Sequence, residues 1–268
     1  MADRAKTAEV YRYQTVSAQK LEEESALPAE CALAISYNDI SYAVMMVSPD
    51  DVKDFVVGFS LTQGIIDSPG QLRSISVTFE EEQGVADVQL SPRAQWQLKS
   101  YQRRLAGSSG CGICGTDALK SALPELAKLP DALLPEVYAF TNLRHRIREY
   151  QQALYSGGAQ HAAFFVTNDG RITLCREDIG RHNAMDKLIG ALALSDTALT
   201  NGFMVLTSRC GLELVQKAIR VGLPTLVTLS APTTMAVEWA KLYQLNLIHL
   251  PHHSAPRVYH SSAAGNAG

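Results

Sequence analysis

The sequence predicts an α/β protein, α+β overall: a βαβαβ core with parallel strands, joined to a smaller N-terminal α+β region. Three observations carry this. FMVLTS, LVTLS and LNLIHL are continuous apolar runs whose starts lie about 21 residues apart, each pair separated by an amphipathic stretch. Runs without alternation mark strands covered on both faces, and helical spacers between them make the pairing parallel. Upstream, shorter runs joined by turn residues read as antiparallel strands. With 268 residues, 46% hydrophobic and 19% charged, the chain can bury a real core and suits one large or two modest domains.

In chain order, residues 1–30 hold no lasting hydrophobic period and contain the run Glu22, Glu23, Glu24, which predicts a flexible N-terminal arm. The N-terminal α+β region spans 31–110. Its first two strands, ALAISYNDISYAVMMV, turn at Asn38-Asp39, a pair that tolerates the left-handed conformation of a hairpin. Ser48-Pro49-Asp50-Asp51 supplies a capping hydroxyl, a proline for the first helical position and acids for the positive first turn, so a helix is expected from there to about Gly64. RSISVTF and VADVQL are two more strands around a solvated EEEQG turn. Residues 91–110 carry Arg93, Lys99, Arg103 and Arg104 and no acid, and lead into a mobile cysteine loop at 107–116. A helical connection follows at 117–155. There Val137, Phe140, Leu143, Ile147, Tyr150 and Leu154 recur every three or four residues and predict one long helix. Its other face, with Arg144, Arg146 and Arg148, reads as a solvated basic surface. The α/β domain occupies 156–260. It opens with a hairpin, HAAFFVT and RITLCRED, turned at Asn168-Asp169-Gly170, followed by the helix GRHNAMDKLIGALAL and the βαβαβ unit. Residues 261–268 form a flexible tail.

Composition excludes several functions. The 24 basic and 27 acidic residues leave a net charge of -3, so there is no global basic field for nucleic acid. No apolar run reaches the roughly 18 residues of a membrane span, and the N-terminus lacks a secretory pattern. Five cysteines form no disulfide framework, which points to a reducing cytoplasm.

The sharpest local feature is GSSGCGICG, which places Cys111 and Cys114 among Gly107, Gly110, Gly112 and Gly115. Three readings compete for it. A structural zinc site needs four ligands, and Cys175, Cys210, His161 and His182 supply no second close pair. A thioredoxin-like site needs its CxxC between a strand and a helix, whereas a basic segment and a glycine loop precede this one. A mobile sulfur-carrying thiol fits the glycines, which let a loop visit two partners in turn. That chemistry needs a thiolate, and a cysteine with pKa about 8.5 is little ionised at neutral pH. Arg103, Arg104 and a helix expected to start at Thr116 would favour the anion, and a drop of about one and a half units takes only roughly 2 kcal/mol. Cys31 and Cys175, within apolar strands, read as buried core thiols. Cys210, at a strand end, is the less settled of the three because such ends line ligand crevices.

Three polar clusters sit where strands of the parallel unit end or helices begin: EDIGRHNAMDK (177–187), TSRCG (207–211) and SAPTT (230–234). Arg181, His182, Asn183, Asp186 and Lys187 are dense in hydrogen-bonding groups, and Ser208, Arg209, Ser230, Thr233 and Thr234 add more. Strand-end hydroxyls and helix N-termini can hold phosphate without a P-loop. The same hydroxyls also serve as helix caps. No GxGxxG or P-loop pattern is present.

Taken together, GSSGCGICG, EDIGRHNAMDKL, LVQKAIRVGLPTLVTLSAPTTMAVEWA and GGAQHAA resemble the signature segments of the FdhD family, in family order from about Cys31 to Tyr259. The resemblance implies a sulfurtransferase needed for active formate dehydrogenase. A cysteine desulfurase would load a CxxC cysteine with persulfide sulfur, with Cys111 as carrier and Cys114 assisting. Delivery would go to molybdenum in bis(molybdopterin guanine dinucleotide), with GDP as a possible mimic of its nucleotide end. It also implies a homodimer, a fold similar to cytidine deaminases, and cofactor contacts in the C-terminal stretch, here Leu250, Pro251, His252, His253, Ser254, Ala255 and Arg257. That stretch is usually rich in glycine and arginine, and the family usually has His at Arg176 and small residues at Cys210 and Gly211. HAA at 161–163 lacks the glutamate of the deaminase H-x-E, so deaminase zinc chemistry is absent and no zinc is expected. The alternative is a non-catalytic chaperone that binds the cofactor or a guanine nucleotide.

Overall fold

The computed structural model describes residues 8–14, 22–106, 122–154 and 160–263. Ahead of the predicted fold, β1 (Ala8–Gln14) and β2 (Glu22–Pro28) pair antiparallel, where the sequence predicted an arm. The acidic run lies in the second of these strands and meets a base across the ladder: Arg12 Nε donates to Glu24 at 2.7 Å. The period was hidden because this two-stranded ribbon leaves Val10, Tyr11 and Tyr13 exposed.

β3 (Cys31–Tyr37) alternates buried and half-buried residues and turns into β4 (Ile40–Val47) through Asn38 and Asp39, both with positive φ as a tight hairpin requires. β5 (Leu72–Glu80) and β6 (Gln83–Leu90) complete a four-stranded sheet in the order β4-β3-β6-β5, with β3 and β6 parallel. Cys31, Leu33, Ile35 and Tyr37 pack from this sheet onto α1 (Val52–Thr62). That helix begins later than the capping pattern suggested. Asp51 stands at its N-cap in the left-handed region with no side-chain cap, because the Ser48 hydroxyl accepts instead from Ile179 N and Gln160 Nε2 across the molecule. α2 (Pro92–Ala106) follows the sheet.

The single long helix expected from Val137 onward is broken. A 3-10 turn at Val137–Phe140 ends at Thr141 and Asn142, the latter with φ 50, before α3 (Leu143–Leu154) begins. Val137 is therefore exposed while Leu143 and Ile147 are buried.

β7 (His161–Thr167) and β8 (Ile172–Asp178) form the expected hairpin, with Gly170 at φ 85 in its turn, and α4 (Arg181–Leu194) follows. β9 (Gly202–Leu206), α5 (Leu212–Arg220), β10 (Thr225–Thr228), α6 (Thr234–Leu242) and β11 (Asn246–His249) make the βαβαβ unit, and both strand pairs are parallel. β12 (Arg257–His260), an edge strand the sequence reading did not anticipate, lies antiparallel to β11. The six-stranded order is β12-β11-β10-β9-β7-β8. Alternate residues feed two cores. Phe165, Met204, Leu226 and Leu247 pack with α4, α5 and α6, while Phe164, Val205, Val227 and Ile248 pack with Leu143 and Ile147 of α3. Helices thus cover both faces, which explains why these strands read as unbroken apolar runs.

The two halves meet where α1 crosses α4. A Cβ on Gly58 would lie 1.8 Å from Asp186 O, and one on Gly190 1.9 Å from Asp54 O, so only glycine permits this approach. Two buried ion pairs flank the crossing. Lys187 Nζ sits 2.7 Å from Asp178, whose carboxylate also accepts from Ser48 N, Gly180 N and Asn183 Nδ2. Lys217 Nζ lies 2.6 and 2.7 Å from the two Asp186 oxygens, and Thr62 Oγ1 donates to the same carboxylate. Among the described residues no helix is long and apolar enough to cross a membrane.

Candidate functional site

Strand direction gathers the polar clusters onto one edge of the six-stranded sheet. β9, β10 and β11 are parallel, so Ser208-Arg209, Ser230 and Leu250 all emerge on the same side. β7 runs against β9 and brings its first residue, His161, to that edge, where Ala162 N donates to Thr207 Oγ1 at 2.9 Å. β8 runs against β7 and ends there at Asp178, and α4 starts three residues on with Arg181 and His182. β12 runs against β11 and sets Arg257 opposite His249.

Arg181 and His182 are half-buried, Arg209 and Arg257 exposed, and Ser208 buried with its hydroxyl donating to Arg209 O. Thr233 caps α6 by accepting from Ala236 N at 3.3 Å, while its own N–H donates to Cys210 O and ties that helix to the segment after β9. Thr234 is exposed on the first turn, and Ser230 O accepts from Thr228 Oγ1. Beyond β11, Leu250 is buried, Pro251 half-buried, and His252, His253, Ser254 and Ala255 are exposed.

Other expectations are corrected. Asn183, Asp186 and Lys187 are buried at the domain crossing, where Asn183 Nδ2, the Asp186 carboxylate and Lys187 Nζ bond to protein partners, so they shape the site from behind and do not line it. Arg144 and Arg146 are not a solvated face. Arg144 Nη1 donates to Leu229 O at 2.9 Å and Leu250 O at 2.7 Å, and Arg146 Nη1 donates to Gly170 O at 2.8 Å. Arg176, from β8, pairs with Asp54 at 2.7 Å and Asp51 at 3.3 Å on the N-terminal region. Sequence reasoning passed over His249 and gave Arg144 and Ser48 other roles, because the partners of those two lie far away in the chain and leave no periodic trace.

The edge is rich in cations and neutral imidazoles. Burial, then Arg181, holds the His161 pKa below its usual value, with Arg209 adding to this and Asp178 opposing it. Burial, Lys217 and Arg181 do the same to His182, against the Glu213 carboxylate 3.5 Å away. His249 is lowered by burial, Arg257 and Arg144, and His252 chiefly by Arg144. Neutral rings beside guanidiniums can donate to anionic oxygens and can take up a proton when a negative ligand arrives.

The remaining thiols are poor nucleophiles. Burial pushes Cys31 up to about 11 and Cys210 up to about 12, and raises Cys175 as well. Cys111 and Cys114 lie outside the described residues, as do the side chains of Arg103 and Arg104. No cluster of metal-ligating side chains occurs among the described residues.

The fold and this edge define a mixed α/β protein whose parallel strand ends gather polar and cationic side chains on one side of the six-stranded sheet. The chain belongs to the FdhD/NarQ family, whose model matches residues 28–264. It is 39% identical over 225 residues to the sulfur carrier protein FdhD of Xanthomonas campestris pv. campestris (strain B100), covering 84% of this chain and 80% of that protein. It is 36% identical over 230 residues to the protein of the same name from Bordetella petrii, covering 86% and 83%. A solved structure described as a formate dehydrogenase accessory protein from Desulfotalea psychrophila shares the fold, with TM-score 0.73, 21% identity and coverage of 96% and 98%.

Proposed function

We propose that this chain is a cytoplasmic sulfurtransferase that makes formate dehydrogenase active. A cysteine desulfurase supplies the sulfur. The Cys111 thiolate attacks the outer sulfur of the donor's persulfide, a new S–S bond forms as the old one breaks, and the donor leaves as its thiolate. Cys114 assists release: its thiolate attacks the inner sulfur of the loaded Cys111, forming a disulfide and freeing the outer sulfur as HS⁻. The acceptor is molybdenum in bis(molybdopterin guanine dinucleotide), bound as substrate over the strand edge by Arg181, His182, Ser208, Arg209, Ser230, Thr233, Thr234 and the 250–257 stretch. A homodimer and a fold similar to cytidine deaminases belong to the same reading.

The observation that supports it most is the convergence of Arg181, Arg209, Ser230 and Arg257 on one edge, since open parallel sheets hold nucleotide phosphates in that crevice. The expected test result is about 32 Da added to the CxxC peptide after incubation with a desulfurase and cysteine. That mass should vanish in Cys111→Ala, together with formate dehydrogenase activation. If Cys111→Ala still accepted sulfur and activated the enzyme at full rate, the carrier role would be lost. Absence of the added mass in the native protein would favour the non-catalytic chaperone, and stoichiometric zinc would make the cysteine pair structural. Replacing Thr233 and Thr234 by valine should weaken GDP binding and leave persulfide loading intact, and unchanged GDP affinity by calorimetry would move the cofactor site elsewhere.

A further inference from the structure

At the β11 end of the edge, two residues outside the family-signature segments stand out. Arg144 reaches from α3 to the carbonyls of Leu229 and Leu250, which are the first residues after β10 and β11. Both bonds use Nη1, and among the described residues no bond engages the Nε and Nη2 donors of the planar fork. His249, the last residue of β11, is 8% exposed, and its Nδ1 is buried without a partner. An orphaned buried acceptor loses its hydration with nothing in return unless a donor meets it.

The charges acting here are cationic. Arg148 acts on Arg144, Arg257 and Arg144 act on His249, and Arg144, Arg148 and His253 act on His252. From the first residue after β10 the group facing His249 is the Leu229 carbonyl, from β12 it is Arg257, and from α3 it is Arg144. Positive groups this close, with no acid among them, are unfavourable until an anion arrives.

We propose that Arg144 and His249 form the phosphate-gripping end of the crevice, taking a phosphate or pyrophosphate group and coupling its binding to uptake of a proton. The inference rests on the strand-edge reading above and adds to it. Arg144 acts in two ways: it fixes where the 250–255 segment leaves the sheet, and it offers the rest of its guanidinium to phosphate oxygens. His249 is neutral when the crevice is empty of anion. Protonated at Nδ1, it becomes a donor to the same oxygens, so binding tightens as pH falls.

Calorimetry on the full chain with pyrophosphate, GDP and guanosine, at pH 6.5 and 8.0 and in buffers of different ionisation heat, tests this. Pyrophosphate should bind and compete with GDP, guanosine should bind more weakly than GDP, and a proton should be taken up. Arg144→Gln should weaken pyrophosphate about 10-fold, roughly the worth of one charge-assisted contact. Arg148→Gln changes only an exposed side chain and guards against misfolding as the explanation; it should weaken pyrophosphate about 3-fold. His249→Gln should remove the proton uptake. Native pyrophosphate affinity in Arg144→Gln and Arg148→Gln, or proton uptake retained in His249→Gln, overturns the inference. Guanosine binding as tightly as GDP overturns it too, while leaving a nucleoside site at the edge. If native protein binds no GDP at all, the strand-edge reading falls and this inference with it, whereas persulfide loading stands on its own measurement.

Discussion

His161 and His182 sit half-buried beside Arg181, and both are held below the ordinary imidazole value, first by burial and then by neighbouring cations. Their protonation is easier in the unfolded chain than in the folded one. The stability they contribute is therefore fully present above the unfolded pKa of about 6.5 and is lost as pH falls toward their lower folded values. Urea midpoints should drop between pH 7.5 and 5.5, and a His161→Gln/His182→Gln double variant should drop less steeply. A native midpoint that rises on acidification over this window, or a double variant with an unchanged slope, would contradict the assignment.

At the scale of elements, the crossing of α1 and α4 depends on two glycines. Gly58→Ala has no room, since its Cβ would meet the Asp186 carbonyl at 1.8 Å, and the helices must separate to admit it. The expected cost is about 1–3 kcal/mol or more, as for other overpacked contacts. Gly70→Ala meets only the Ser68 hydroxyl at 4.0 Å and should change stability by less than about 0.5 kcal/mol. Denaturant titrations of the two variants give the comparison, and equal stabilities would show that the helices can slide apart at little cost. The late start of α1 has a related cause. Ser48 is drawn to the β8–α4 junction, so the helix gives up a hydroxyl cap in exchange for a bond between the two halves.

For the whole molecule, the buried pairs Asp178–Lys187 and Asp186–Lys217 join the N-terminal region to the six-stranded unit through Ser48 and Thr62. Burial pushes the Asp186 carboxyl up while Lys217 pulls it down. Removing one member strands the other, so Lys217→Met should cost about 3–5 kcal/mol. Because each pair is hydrogen-bonded across the interface, one to Ser48 and the other to Thr62, both regions should unfold together. Trp96 reports from α2 and Trp239 from α6, where its ring lies 5.0 Å from that of Tyr243. Single-tryptophan variants should give coincident urea midpoints that move together in Lys217→Met. Separate midpoints would mean that the halves fold independently.

What the sequence determined by itself was local. The three apolar runs specify covered parallel strands because solvent is excluded from both of their faces, and Asn38-Asp39 and Asn168-Asp169-Gly170 specify turns because of the backbone conformations they tolerate. The residues now found along the strand edge were legible as polar clusters, since the parallel rule alone places strand ends together. The tertiary structure decided the rest. It separated Arg181 and His182, which reach the edge, from Asn183, Asp186 and Lys187 on the same helix, which are buried at the junction with the N-terminal region and bond to Met46, Thr62 and Ser48 there. It broke the expected helix at Asn142, paired β12 with β11, and turned Arg144 from a surface charge into a clasp on two strand ends. The physical reason is distance along the chain. Arg144 meets Leu250, and Ser48 meets Asp178, across more than a hundred residues, and such contacts impose no spacing on the sequence nearby.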